Sequence, residues 1–361
     1  MFRCLEKFGN QAKSKLTFYL YISKNHKPFY IKNAVTIKTI YVLSAAFLVW
    51  GIFGLLDVKN EVYSGFKQNK FKVVSIEEDS PAARAGFQVG DVLLSSDGIS
   101  IENYKEQEKR PREKVGQERT YVVERDGVEQ NIVLTYAGLP QKNKTNRYIS
   151  FVIGLLFILL PSVLTANNPS ALKVSLGLSM TTFGFLFLNG PYFSNGALRD
   201  LVDVLGIVII TFALTYLADY LLKYAPESKI IAKKGYQLMF LPMVLIVVIV
   251  VGLTVIKPDY SASLNSIVQG IFTLFFLGYL ATSIITLIRK FVRTEPALRK
   301  SHGLGLMLLG VCFSLLPLLI LFTINAISPG AEVPGEDYIF FGFALIPITF
   351  SVALNRYVKA T

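Results

Sequence analysis

Long apolar runs separated by short polar loops fill most of the chain, and one stretch of mixed polarity, residues 57–147, interrupts them. About eight runs approach the roughly 17–25 residues that a helix needs to cross a hydrocarbon core of ~30 Å. They are Val35–Leu56, Tyr148–Thr165, Leu172–Leu188, Leu201–Leu222, Leu238–Ile256, Ile267–Ile288, Leu304–Ile324 and Tyr338–Leu354. The third and eighth are the shortest, which leaves seven or six spans open. Inside 57–147 the period changes. Thr120–Glu124 and Gln130–Thr135 alternate apolar and polar side chains around Arg125-Asp126-Gly127, the signature of a β-hairpin. Together the two periods predict a multi-pass α-helical membrane protein of about eight transmembrane helices with one inserted α+β domain. The segments read as a basic cytoplasmic leader (1–34), a first transmembrane helix (35–56), an inserted domain (57–147, core 61–136), a seven-helix bundle (148–355) and a cytoplasmic tail (356–361).

Composition agrees: 52% of residues are hydrophobic and 17% are charged, an unusually apolar balance for a soluble domain. A formal charge of +12 suggests nucleic acid at first, but its distribution points to the lipid bilayer. Cytoplasmic loops gather Lys and Arg. Lys24, Lys27 and Lys32 precede the first run, and Lys223, Lys229, Lys233 and Lys234 follow the fourth. Arg289, Lys290, Arg293, Arg299 and Lys300 follow the sixth, and Arg356 and Lys359 follow the last. Intervening loops carry Asp200 and Asp203 beside Arg199, or Glu332, Glu336 and Asp337. One topology satisfies all of them: both termini cytoplasmic, an even number of spans, and residues 57–147 on the outer side of the membrane. No nucleic-acid partner is expected. Leu16–Ile22 in the leader is too short to span and suits the membrane interface.

The inserted segment holds the most specific motif. Val73, Val74 and Ile76 lead into Ser80-Pro81-Ala82-Ala83-Arg84-Ala85-Gly86, then Gly90-Asp91, the run Val92–Leu94 and Asp97-Gly98. These residues closely resemble the PDZ domains of bacterial envelope proteins such as HtrA-type, carboxyl-terminal processing and site-2 proteases. The resemblance implies peptide capture by β-augmentation, with a C-terminal carboxylate held by backbone N–H groups. By position, Ser64, Gly65 and Phe66 would form the carboxylate loop, Val73 would lie on the groove strand, and a helix from Asn103 to Lys109 would be the facing wall. A peptide or protein C-terminus is the implied partner. Free-peptide binding, docking onto the chain's own bundle and a scaffolding role remain open. Pro191, Tyr192 and Phe193, after an aromatic-rich run, read either as an outer-bundle ligand surface or as a turn with interfacial aromatics.

Enzymatic signatures are sparse. A zinc protease of the site-2 type needs His-Glu-x-x-His, and this chain has two histidines, His26 and His302, without ligand spacing around them. No phosphate loop or Cys/His cluster is evident. The expectation is a chain that is not an enzyme, with no catalytic residue, cofactor or metal. Asp219 reads as solvated near the cytoplasmic end of its span.

The order of parts, and the last run Leu345-Ile346-Pro347 through Asn355-Arg356-Tyr357, resemble the membrane sensor half of bacterial histidine kinases related to the competence-pheromone sensor of bacilli. The resemblance implies a two-component receptor for an extracytoplasmic peptide or lipidated peptide, working as a homodimer and signalling to a cytoplasmic output domain or partner kinase. No kinase motif precedes Thr361, so output is expected from elsewhere. A transporter or envelope-assembly factor that recruits secreted substrates is the alternative, and a membrane enzyme with an unrecognised site is a third.

Overall fold

The computed structural model describes residues 30–69, 71–103, 107, 110–166, 170–193, 195–224, 234–256, 262–328, 333 and 335–360. Most of the basic leader, with Leu16–Ile22, lies outside them. Helix α1 (Tyr30–Asp57) ends in a 3-10 turn, Val58–Asn60. The inserted domain follows as β1 (Val62–Tyr63), β2 (Phe66–Asn69), β3 (Lys72–Ile76), α2 (Pro81–Ala85), β4 (Val92–Ser96), β5 (Ile99–Ser100), β6 (Glu118–Arg125), β7 (Val128–Thr135) and β8 (Ala137–Gly138). Strands run β2-β3-β4-β6-β7 in one antiparallel sheet, with β5 on β4. Val62 of β1 pairs with Gly138 of β8, so the chain enters and leaves the domain side by side.

Local chemistry explains these elements. Ser80 caps α2 by accepting from the Ala83 N–H at 3.2 Å, Pro81 opens the helix, and left-handed Gly86 closes it. Arg125 pairs with Val128, leaving Asp126-Gly127 as a two-residue turn with φ of 52° and 78°, the conformation Asp-Gly favours. Alternate residues of β6 and β7 (Tyr121, Val123, Ile132 and Leu134) point inward onto Val73, Phe87 and Leu93. Buried Tyr121 and Tyr136 satisfy each other's hydroxyls at 2.6 Å.

The bundle continues with α3 (Gln141–Ala166), α4 (Ala171–Phe187), α5 (Gly196–Lys223), a 3-10 segment (Lys234–Phe240), α6 (Leu241–Ile256), α7 (Ala262–Arg293), α8 (Pro296–Ser301), α9 (Leu304–Ile327), a second 3-10 segment (Glu336–Ala344) and α10 (Leu345–Ala360). Among the described residues, seven segments are long and apolar enough to cross a membrane. The expected count of eight is therefore corrected to seven candidates and one shorter helix. That helix, α4, has 17 residues, roughly 25 Å at 1.5 Å per residue. It packs against both α3 and α5, and Val174 to Thr182 are all buried. Its small residues allow the close approach expected of an interior helix. The last expected span is split, and Pro347 falls in the first turn of α10, where its missing N–H breaks no helical bond.

Asp219 is the second correction. It is 1% exposed rather than solvated. Its Oδ2 accepts from Ser175 Oγ and, at 2.6 Å, from Lys223 Nζ, while Oδ1 accepts from the Tyr236 hydroxyl. A buried carboxylate needs such partners. Periodicity could not show that the 3-10 segment brings Tyr236 onto it.

At the same end of the bundle, Tyr224 ties α10 to α8. Its ring lies 5.1 Å from that of Tyr357, and its hydroxyl donates to the carbonyls of His302 and, at 2.9 Å, Ala353. Gly303 lies against α10 so closely that a Cβ there would sit 2.7 Å from Ala353 Cα. Gly303→Val is expected to cost about 1–3 kcal/mol and to speed amide exchange along Phe350–Leu354. Unchanged exchange there would show that α10 does not depend on this contact.

Candidate functional site

The sheet ends in two edge strands, β2 and β7, and β2 is the one that follows the Ser64-Gly65 loop. Glu77 N–H donates to the Gly65 carbonyl at 2.8 Å. Antiparallel ladders alternate direction, so Phe66, one residue on, turns its N–H and C=O toward the open edge. Gly65 itself has φ of 83°, and a Cβ there would lie 2.1 Å from Ser80 Cβ. The Ser64 carbonyl accepts from Ala82 N–H at 2.9 Å. The loop is thus pressed onto the start of α2, and a bulky residue at 65 would displace that helix rather than merely fill a groove.

The side chains named from sequence are placed as follows. Phe66 stacks on Phe87 at 5.2 Å and meets Tyr121 edge-on, so its ring belongs to the domain core. Val73 is fully buried there. Both contribute backbone or packing rather than an exposed contact surface. Asn103 is exposed and accepts from Gln107 N–H at 3.1 Å, while Lys109 and most of its expected helix lie outside the described residues. The other face of the β2–β3 ladder carries Lys67, Ser75 and Glu77. Tyr63 donates to Glu77 at 2.5 Å, and burial, then this bond, hold the phenol above its ordinary range.

Pro191, Tyr192 and Phe193 form a seam between the inserted domain and the bundle. Tyr192 N–H donates to Asp57 Oδ2 at 2.5 Å, and its hydroxyl donates to the Glu113 carbonyl at 3.1 Å. Arg112 lies 5.0 Å over its ring, and Phe193 packs 5.8 Å from Trp50. Burial raises the Tyr192 phenol above its ordinary value. Arg147 completes the seam, donating twice to Glu61 (3.1 and 2.8 Å) and also to Asn189. Of the three loop residues, Tyr192 reaches the inserted domain, and Phe193 packs on the bundle helix α1.

Beneath that seam lies a cavity of about 1210 Å³, above the roughly 300–1,000 Å³ of ordinary ligand pockets. Its mouth is polar: Lys67, Ser75 and Glu77 above, and Lys142, Asn143, Asn146 and Arg147 on the first turns of α3. Its depth is apolar, walled by α3, α4, α5, α7, α9 and α10 down to Phe157, Leu287 and Phe350. Sequence reading missed this site. The apolar run begins at Tyr148, but the helix begins at Gln141, and those extra polar turns make the mouth.

Comparison with known proteins fits the domain. Residues 72–124 match the family model of the PDZ domain, so peptide or protein binding is implied. The chain is also similar to a putative zinc metalloprotease of Mesorhizobium japonicum, 32% identical over 81 residues, covering 22% of this chain and 22% of that protein. The expectation that the chain is not an enzyme is overturned by this similarity, and the want of a recognisable motif was insufficient ground for it. Zinc is the metal that relative's description implies. Among the described residues, no three His, Cys, Asp or Glu side chains are grouped to hold a metal ion, so they do not fit zinc.

Proposed function

We propose that this chain is a bacterial plasma-membrane receptor whose extracytoplasmic PDZ domain captures the end of a peptide or lipidated peptide at the β2 edge. The captured strand would bond to the outward N–H and C=O of Phe66. Its position would alter the seam at Tyr192 and Arg147, and so the packing of α1, α3 and α4. A ligand does this by preferring one packing over another. The signal would leave through α10 to a cytoplasmic signalling domain or partner kinase, in a homodimer. The observation that carries this reading is the open β2 edge directly above the cavity mouth.

Termini on one side of the membrane require α4 to cross despite its length. Asn189, just beyond α4, meets Arg147 at the PDZ end, and Ser175 meets Asp219 and Lys223 at the other. That placement supports an even number of crossings.

The test is selection from a C-terminal peptide library on the full chain in nanodiscs, with hydrogen exchange on the selected complex. Bound peptide is expected to slow exchange of the Phe66 amide. A folded protein that selects no peptide, or protection confined to other edges, would sink the reading.

Similarity to the metalloprotease favours a second reading, in which the PDZ domain presents polypeptides for proteolysis. Incubating selected peptides with the purified chain separates the two. Cleavage at a defined bond supports the second, and binding without cleavage supports the first.

A further inference from the structure

We propose that the bundle cavity is a binding site for a bilayer phospholipid, with a hydrocarbon chain between the helices and the headgroup at the polar mouth below the PDZ domain. Two observations carry this. First, polarity is graded along one axis. Lys142, Asn146 and Arg147 lie at the mouth and Phe157 lies deep, all on α3. Residues 142 to 157 extend roughly 22 Å along the helix, so the cavity suits an elongated molecule with one polar end.

Second, the wall opens sideways. Leu277 on α7 and Leu319 on α9 both line the cavity, yet they are 55% and 51% exposed on the surface of the bundle. In a membrane that surface meets lipid chains, so the opening between α7 and α9 admits a molecule from the bilayer. This selects a bilayer source over a water-borne one.

This inference is independent of peptide recognition. The experiment reconstitutes the full chain in phosphatidylethanolamine–phosphatidylglycerol vesicles with a trace of phospholipid carrying an acyl-chain diazirine, then maps photo-adducts by mass spectrometry. Adducts are expected on Leu280 and Leu315, which line the cavity and are partly exposed, as well as on outward-facing Leu274. Ser283→Trp and Leu318→Trp fill the cavity from different walls. Each folded variant should lower the interior adducts roughly tenfold and leave Leu274 unchanged. If one variant fails to fold, the other decides. Adducts confined to outward side chains, or interior adducts unchanged in a folded variant, would overturn the proposal. So would interior capture of an acylated peptide with no capture of phospholipid.

Discussion

Asp91→Ala is expected to unfold the PDZ domain while leaving the helical bundle inserted. Asp91 is 1% exposed. Its carboxylate receives Arg125 Nε at 2.7 Å, Arg125 Nη2 at 2.8 Å and the Gln88 N–H at 2.8 Å. Arg125 also donates to the Gly86 carbonyl at 2.8 Å, so the pair ties β6 to the end of α2. Removing one partner of a buried pair costs about 3–5 kcal/mol, a large part of the roughly 5–15 kcal/mol that holds a domain together. Amide exchange at Val123 and Leu134 should rise by roughly a hundredfold or more. Exchange equal to wild type would show that the pair is dispensable. The same group sets an acid limit. Burial pushes the Asp91 carboxyl up, but the bonds from Arg125 and Gln88, with the Arg125 charge, outweigh it and hold the carboxyl below its ordinary range. Its stabilisation is therefore full above about pH 3.9, where the unfolded carboxyl titrates. It is lost as pH falls through the lower folded value. Acid unfolding of Asp91→Asn should lack this component.

Gly54→Leu is expected to release the PDZ domain from the bundle without unfolding either. A Cβ at Gly54 would lie 1.7 Å from the Asn189 carbonyl oxygen. That obstacle is backbone, so the 189–193 loop must move. Tyr192 would then leave Asp57, Glu113 and Arg112 together. Overpacking costs about 1–3 kcal/mol, and each lost neutral hydrogen bond adds about 0.5–1.5 kcal/mol. Spin labels at exposed Val128 and Leu198 should report a broader distance distribution than in wild type. Gly206→Leu is the control, because a Cβ there meets nothing within 4 Å. Equal distributions in both variants would mean that the loop does not hold the domain.

Much of the architecture was legible in the sequence because it follows from local rules. Apolar length marked the membrane helices, and the 120–135 alternation with Asp126-Gly127 marked the hairpin. Ser80 through Gly86 spelled out a capped turn of helix, since a cap is satisfied within a few residues. The span count was less secure. Apolar length measures contact with lipid, and α4 is enclosed by protein.

What the sequence determined by itself is the membrane bundle and the PDZ insertion, both set by side-chain periodicity and near-neighbour bonds. Tertiary structure decided the rest. It placed Phe66 and Val73 in the core, made Tyr192 a tie between domain and bundle, and buried Asp219 under Tyr236. It also enclosed a cavity whose walls come from six helices. No local pattern encodes these features, because each depends on groups far apart in the chain, such as Asp57 and Tyr192. Their proximity is fixed when the helices pack and the inserted domain settles on their ends.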